Sequence, residues 1–146
     1  MREKELSNPY SKGTTPERRF TLVKSQILRG RRNFEDLFSQ SSLIKSHNVN
    51  LRYATYPNAD KNTLVGFVAP KRIGNAVERN RTKRLLREAY RLNQHIVKDL
   101  PISTEIGLHY VFMAKRAHLT FQIVQREIIL LLEQLREQVL SKNSPS

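Results

Sequence analysis

The chain of 146 residues contains no cysteine. Disulfides and thiolate zinc sites are therefore excluded, which fits a reducing compartment. Glycine (5 residues) and proline (6) are sparse, while 38% of the residues are hydrophobic, enough for a core and against wholesale disorder. The longest apolar run, Ile128 to Leu132, is far too short to cross a bilayer. The first residues are charged and polar and show no apolar h-region of a secretory signal. Acidic residues are the scarcest class of charge, 13 against 26 basic ones, for a net charge of +13. A soluble, cytoplasmic, strongly cationic single domain is expected, and its charge calls for a polyanionic partner, nucleic acid or an anionic surface.

Residues that could carry chemistry are equally thin. The four histidines (His47, His95, His109, His118) show no paired-ligand spacing, so no metal site is indicated. Only three aspartates occur (Asp36, Asp60, Asp99), each isolated, whereas a two-metal nuclease needs converging carboxylates. No phosphate-binding G-x-x-x-x-G-K-[ST] loop or nucleophile elbow is present. A protein active site is not expected; the partner would supply the chemistry or require only a scaffold.

The order of elements implies an α+β domain. Residues 1–18 read as a flexible basic arm, 19–140 as one domain, and 141–146 as a frayed tail. A first helix runs from Ser25 or Gly30 to Phe38, followed by a polar connection, Ser39 to Asn48. Val49–Tyr56 and Leu64–Ala69 read as strands of an antiparallel hairpin around a Pro57-Asn58-Ala59-Asp60 turn. A second helix spans about Asn75 to Val97, Pro101 breaks the chain, and Ile106–Ala114 is a third strand. Thr120 caps a last helix with a wide apolar stripe from Phe121 to Val139.

Charge is concentrated in one stretch. Between Lys71 and Arg91 lie eight basic residues (Lys71, Arg72, Arg79, Arg81, Lys83, Arg84, Arg87, Arg91) against Glu78 and Glu88, a surplus of six. At about 100° per residue, Arg79, Lys83, Arg84, Arg87 and Arg91 share one arc with Asn80, opposite Leu85, Leu86, Ala89 and Leu92. Like charges at i, i+4 destabilise a helix slightly, and bound phosphates would turn that repulsion into charge-assisted hydrogen bonds. Asn80 reads equally as a contact within the arc or as a local hydrogen-bonding residue near the helix start. Gly74 offers a special backbone angle at the junction.

Aromatics form a second feature. Phe34 and Phe38 lie one helical turn apart, and Leu51, Tyr53 and Thr55 share one strand face. Phe34, Phe38 and Tyr53 either stack unpaired bases or are ordinary core residues; spacing leaves both open.

The stretch from Val65 to Tyr90, VGFVAPKRIGNAVERNRTKRLLREAY, closely resembles the signature of the bacterial ribonuclease P protein subunit. The likeness extends from about Leu28 to Leu140, with Asn33–Phe38 similar to the family's first-helix aromatic pair and Ile106–Lys115 to its third strand. Ala69-Pro70 departs from the small polar and basic residues of many relatives. The resemblance implies a small central mixed sheet packed by helices, in the order α-β-β-α-β-α with a left-handed βαβ crossover, an exception to the usual hand. It implies a protein without catalytic residues, partnered by a catalytic RNA that uses Mg²⁺, held mainly by RNA, to remove the 5′ leader of precursor tRNA. Carried over, Phe34, Phe38, Leu51, Tyr53, Thr55 and Val68 would line the leader cleft. Lys71, Arg72, Arg79, Asn80, Arg81, Lys83, Arg84, Arg87 and Arg91 would meet catalytic RNA or phosphate. No membrane or protein partner is implied. The alternative is a structural RNA-binding or ribosome-associated scaffold; sequence-specific DNA binding, without a short-turn helix pair, is weaker.

Overall fold

The computed structural model describes Leu22 and residues 26–56, 63–98 and 107–143. The expected arm (1–18), the turn at 57–60, Pro101 and the last three residues lie outside them. Helix α1 (Arg31–Gln40) is followed by β1 (Ser42–Ile44), β2 (Val49–Tyr56) and β3 (Thr63–Val68). A 3₁₀ turn (Lys71–Ile73) then leads into α2 (Ala76–Asn93), the short α3 (His95–Lys98), β4 (Gly107–Ala114) and α4 (Phe121–Asn143). Thr120 caps α4 as expected, its hydroxyl accepting from the Ile123 amide at 3.2 Å. The helix continues to Asn143, beyond the expected end at Leu140.

The four strands form one mixed sheet in the order β1-β2-β4-β3. This corrects the expected hairpin: β2 and β3 do not pair, because β4 lies between them, antiparallel to β2 and parallel to β3. The reason lies in β4 itself. Seven of its eight residues are buried, and a strand covered on both faces belongs at the centre of a sheet. Two further elements escaped the sequence reading. The three-residue β1 falls inside the stretch read as a polar connection, and the long helix breaks at Gln94 into α2 and α3.

Helices cover both faces. On one, Leu51, Tyr53, Val65, Phe67, Tyr110 and Phe112 pack with Leu86 and Tyr90 of α2 and with the Val124-to-Val139 stripe of α4 in the main core. On the other, Leu37 of α1 packs with Leu28, Ala54, Tyr56 and Val111, flanked by Phe34, Leu64, Val68 and Met113. Leu37 is the single fully buried residue of α1, so that helix is lightly anchored and leaves much of its surface accessible. Beyond β3, Ile27 makes a parallel bridge to Val65.

A buried polar knot fixes the start of β2. Glu127 Oε1 accepts from the amides of Asn48 (2.7 Å) and Val49 (3.0 Å), and Oε2 accepts from Asn48 Nδ2 (2.6 Å). Burial pushes this carboxyl up, but the hydrogen bonds from Asn48, Ser46 and Val49 together hold it below the ordinary range. Among the described residues no helix is long and apolar enough to cross a membrane.

Candidate nucleic-acid interface

Helix α2 starts on a capping box that fixes its direction. Asn75 Oδ1 accepts from the Glu78 amide at 2.9 Å, and Glu78 Oε1 accepts from the Asn75 amide at 2.9 Å. Local hydrogen bonding at the helix start thus belongs to Asn75, leaving Asn80 exposed. Gly74 matters for room and not for angle: its backbone is extended, and a Cβ would lie 2.2 Å from Glu78 Oε1. Any side chain there collides with the carboxylate that closes the cap.

The buried stripe of α2 is Thr82, Leu86, Ala89 and Tyr90. It is rotated from the apolar arc read from the sequence, and this reshapes the cationic arc. Arg84 and Arg87 are exposed, together with Asn80 and Arg81 and, on the preceding turn, Lys71 and Arg72. Lys83 is half-buried; Arg79 lies at the inner margin, its Nε buried without a hydrogen bond among the described residues. Arg87 holds its guanidinium 5.8 Å from the Phe67 ring centroid, a cation–π contact at the sheet edge. Arg91 is engaged by Glu88 through Nε (3.0 Å) and Nη2 (2.7 Å), and this bond holds the Glu88 carboxyl below its ordinary range. Arg81 reaches across to the Leu119 carbonyl at 3.4 Å. The outward face of α2 therefore centres on Arg84 and Arg87, with Val77, 76% exposed, at its start.

The second surface lies where α1 crosses the sheet. Phe34 sits over Gly66 of β3, and its ring centroid is 6.2 Å from that of Phe38. Phe38 is 39% exposed and carries the Arg52 guanidinium 5.8 Å from its centroid. Val68 lies on this same face. The other three expected cleft residues do not join them. Leu51 and Tyr53 are fully buried in the main core on the opposite face of the sheet, where Tyr53 donates to Gln138 Oε1 at 2.6 Å. Thr55 shares their strand parity and is exposed. The α1 side of β2 instead presents Arg52, Ala54 and Tyr56, the last packed on His109 of β4 at 4.7 Å. Alternation also groups Arg52, Ala54 and Tyr56, but which set faces α1 depends on where α4 packs. The aromatic floor is thus Phe34, Phe38, Gly66 and Val68, with Arg52 at its rim.

Among the described residues, no three His, Asp or Glu side chains gather in a way that could hold a metal ion. Glu78 and Glu127 are each consumed by internal hydrogen bonds.

Comparison with known proteins gives a consistent result. Residues 22–136 match the model of the family described as Ribonuclease P. The chain is 34% identical over 110 residues to the ribonuclease P protein component of Porphyromonas gingivalis, covering 73% of this chain and 80% of that one. It is 33% identical over 113 residues to the component from Geotalea uraniireducens, covering 71% of this chain and 93% of that one. Among solved structures, the RNase P protein from Thermotoga maritima superposes with a TM-score of 0.59 at 23% identity, over 74% of this chain and 96% of the other. The protein from Staphylococcus aureus gives 0.58 at 17% identity, over 80% and 93%. At these identities the structural likeness establishes the fold.

Proposed function

This chain belongs to the ribonuclease P protein family, and from that premise we propose that it is the non-catalytic subunit that joins the catalytic RNA to the 5′ leader of precursor tRNA. Membership makes it a component of a ribonuclease acting in tRNA 5′ processing, in partnership with ribonuclease P RNA. The finer division of labour is our reading. The exposed cations of α2, Arg84 and Arg87 with Asn80, Lys71 and Arg72, contact phosphates of the catalytic RNA. Their arginine chemistry favours bidentate contacts to phosphate. The Phe34–Phe38 floor takes unpaired leader bases, with Arg52 beside it for the backbone. Each stacked base contributes about 1–3 kcal/mol, available to precursor and absent from leaderless product. The protein thereby screens repulsion between two RNAs and favours substrate over product. Mg²⁺ serves the RNA-borne reaction and is held by RNA; no step runs through a protein-held ion.

The observation carrying this reading is the outward, carboxylate-poor face of α2 alongside an aromatic ring left 39% exposed at Phe38. Equilibrium binding of leader-bearing and leaderless tRNA to the holoenzyme tests it. Phe38→Ala is expected to erode the preference for leader-bearing tRNA while leaving thermal stability nearly unchanged. An unchanged preference sinks the leader role, and an equal loss for both tRNAs points to a general RNA scaffold.

A further inference from the structure

A second cationic surface lies at the end of the sheet, outside both the α2 face and the α1 floor. There the loop Lys45–Asn48 before β2 meets the turn Lys115–His118 after β4. Val49 and Ala114 are register partners, and the Lys115 amide donates to the Asn48 carbonyl at 2.9 Å. Lys115 Nζ donates to the Ser46 carbonyl at 3.0 Å, stitching the two loops together. Lys45, His47, Arg116 and His118 project from them, all exposed.

The carboxylates next to this surface are already committed. Glu127 is closed over by Asn48 and Val49, and Glu78 is held by Asn75 and by His118 Nε2 at 2.9 Å. Lys45 and Arg116 enter no ion pair among the described residues. Arg116 Nη1 instead lies 3.4 Å from His47 Nε2. An arginine has only donors, so this contact survives only while His47 lends a lone pair. An anionic oxygen bridging the two groups accepts from Arg116 and from His47 whenever Nε2 carries its proton. Two side chains from separate loops thus form a fork whose complement is a phosphate.

The fork is also tied to α2. His118 pairs with Glu78 in the first turn of α2, and Arg81 of α2 reaches the Leu119 carbonyl. We propose that Arg116 and His47, with Lys45 beside them, form a second phosphate-binding surface that extends the α2 face and grips the backbone of the same catalytic RNA. This inference rests on the reading of α2 given above.

The test is the salt dependence of binding between the full-length protein and its catalytic RNA, for wild type, Arg116→Ala, His47→Gln and Arg84→Ala. Arg116→Ala is expected to lower the slope of log affinity against log salt by about 1, the signature of one lost phosphate contact. His47→Gln lowers it less, and both converge on wild type at high salt. Circular dichroism melts should match wild type, since both side chains are exposed. If Arg84→Ala lowers the slope and the two end-of-sheet variants do not, this inference fails and the α2 reading stands. If Arg84→Ala also leaves the slope unchanged, the α2 reading fails first. A loss confined to precursor tRNA binding by preassembled holoenzyme overturns the assignment to catalytic RNA.

Discussion

A Cβ placed on Gly66 would lie 3.2 Å from Cε1 and Cζ of Phe34 and equally close to Cγ2 of Val111, so the Phe34 ring rests directly on the backbone of β3. The absence of a side chain at 66 sets the depth of the aromatic floor. Gly66→Val must lift the ring or push into Val111, and such overpacking typically costs about 1–3 kcal/mol. Urea unfolding is expected to show that loss, and the holoenzyme to lose leader discrimination with it. Unchanged stability and discrimination would mean the ring has no need of the glycine.

Glu127 makes β2 placement depend on a charge. Its carboxyl titrates below the ordinary value in the fold, so its contribution to stability is complete above the ordinary carboxylate value of 4.5 and is lost as the pH falls through the lower folded value. Glu127→Gln weakens charge-assisted bonds to two amides and is expected to cost about 1.5–3 kcal/mol at neutral pH. Denaturant unfolding near pH 7 and near pH 4 checks both points: the wild type should lose its advantage over the variant as the medium is acidified.

The core holds an acid-neutral pair as well. The hydroxyls of Tyr90 and Tyr110 are 2.5 Å apart and buried. Burial pushes Tyr90 up to about 12, against the lowering effect of its bond to Tyr110, and raises Tyr110 well above its ordinary value. Because the folded value of Tyr90 is raised, the fold carries no penalty below the ordinary tyrosine value of 10.0 and loses stability as the pH rises from there through about 12. Tyr110→Phe leaves one hydroxyl buried alone and should cost about 1–3 kcal/mol at neutral pH. The double Tyr90→Phe, Tyr110→Phe variant should recover part of that loss and unfold less readily in alkali, measured by denaturant titration at neutral pH and above pH 10.0.

Gly74→Ala addresses the start of α2. The new Cβ displaces Glu78 Oε1, opening the capping box and the link to His118 together. Loss of such a cap costs about 0.5–2 kcal/mol. Thermal melts should register that cost, and weaker RNA binding should accompany it because the first turn of α2 frays.

Much of this architecture is legible in the sequence. The apolar stripe of α4, its Thr120 cap and the cationic character of α2 follow from periodicity and composition alone. Strand order did not, because the turn residues at 57–60 argued for a local hairpin, while the run through β4 carried the stronger instruction to occupy the centre. Alternation puts Leu51 and Tyr53 on one face, but only the packing of α4 decides that this face is core. Phasing likewise placed Arg79 with the outward arginines; the buried stripe centred on Leu86 draws it inward. Glu127 gave no local signal, since its partners lie 78 and 79 positions away in sequence.

The central claim is that this chain assists an RNA catalyst and does not itself cleave. Its most direct test is cleavage of precursor tRNA by the purified protein, by the catalytic RNA, and by the two together across Mg²⁺ and salt. No cleavage is expected from the protein alone, whereas the pair should cleave at lower Mg²⁺ and lower salt than the RNA needs by itself. Removal of the leader by the purified protein without RNA would contradict it.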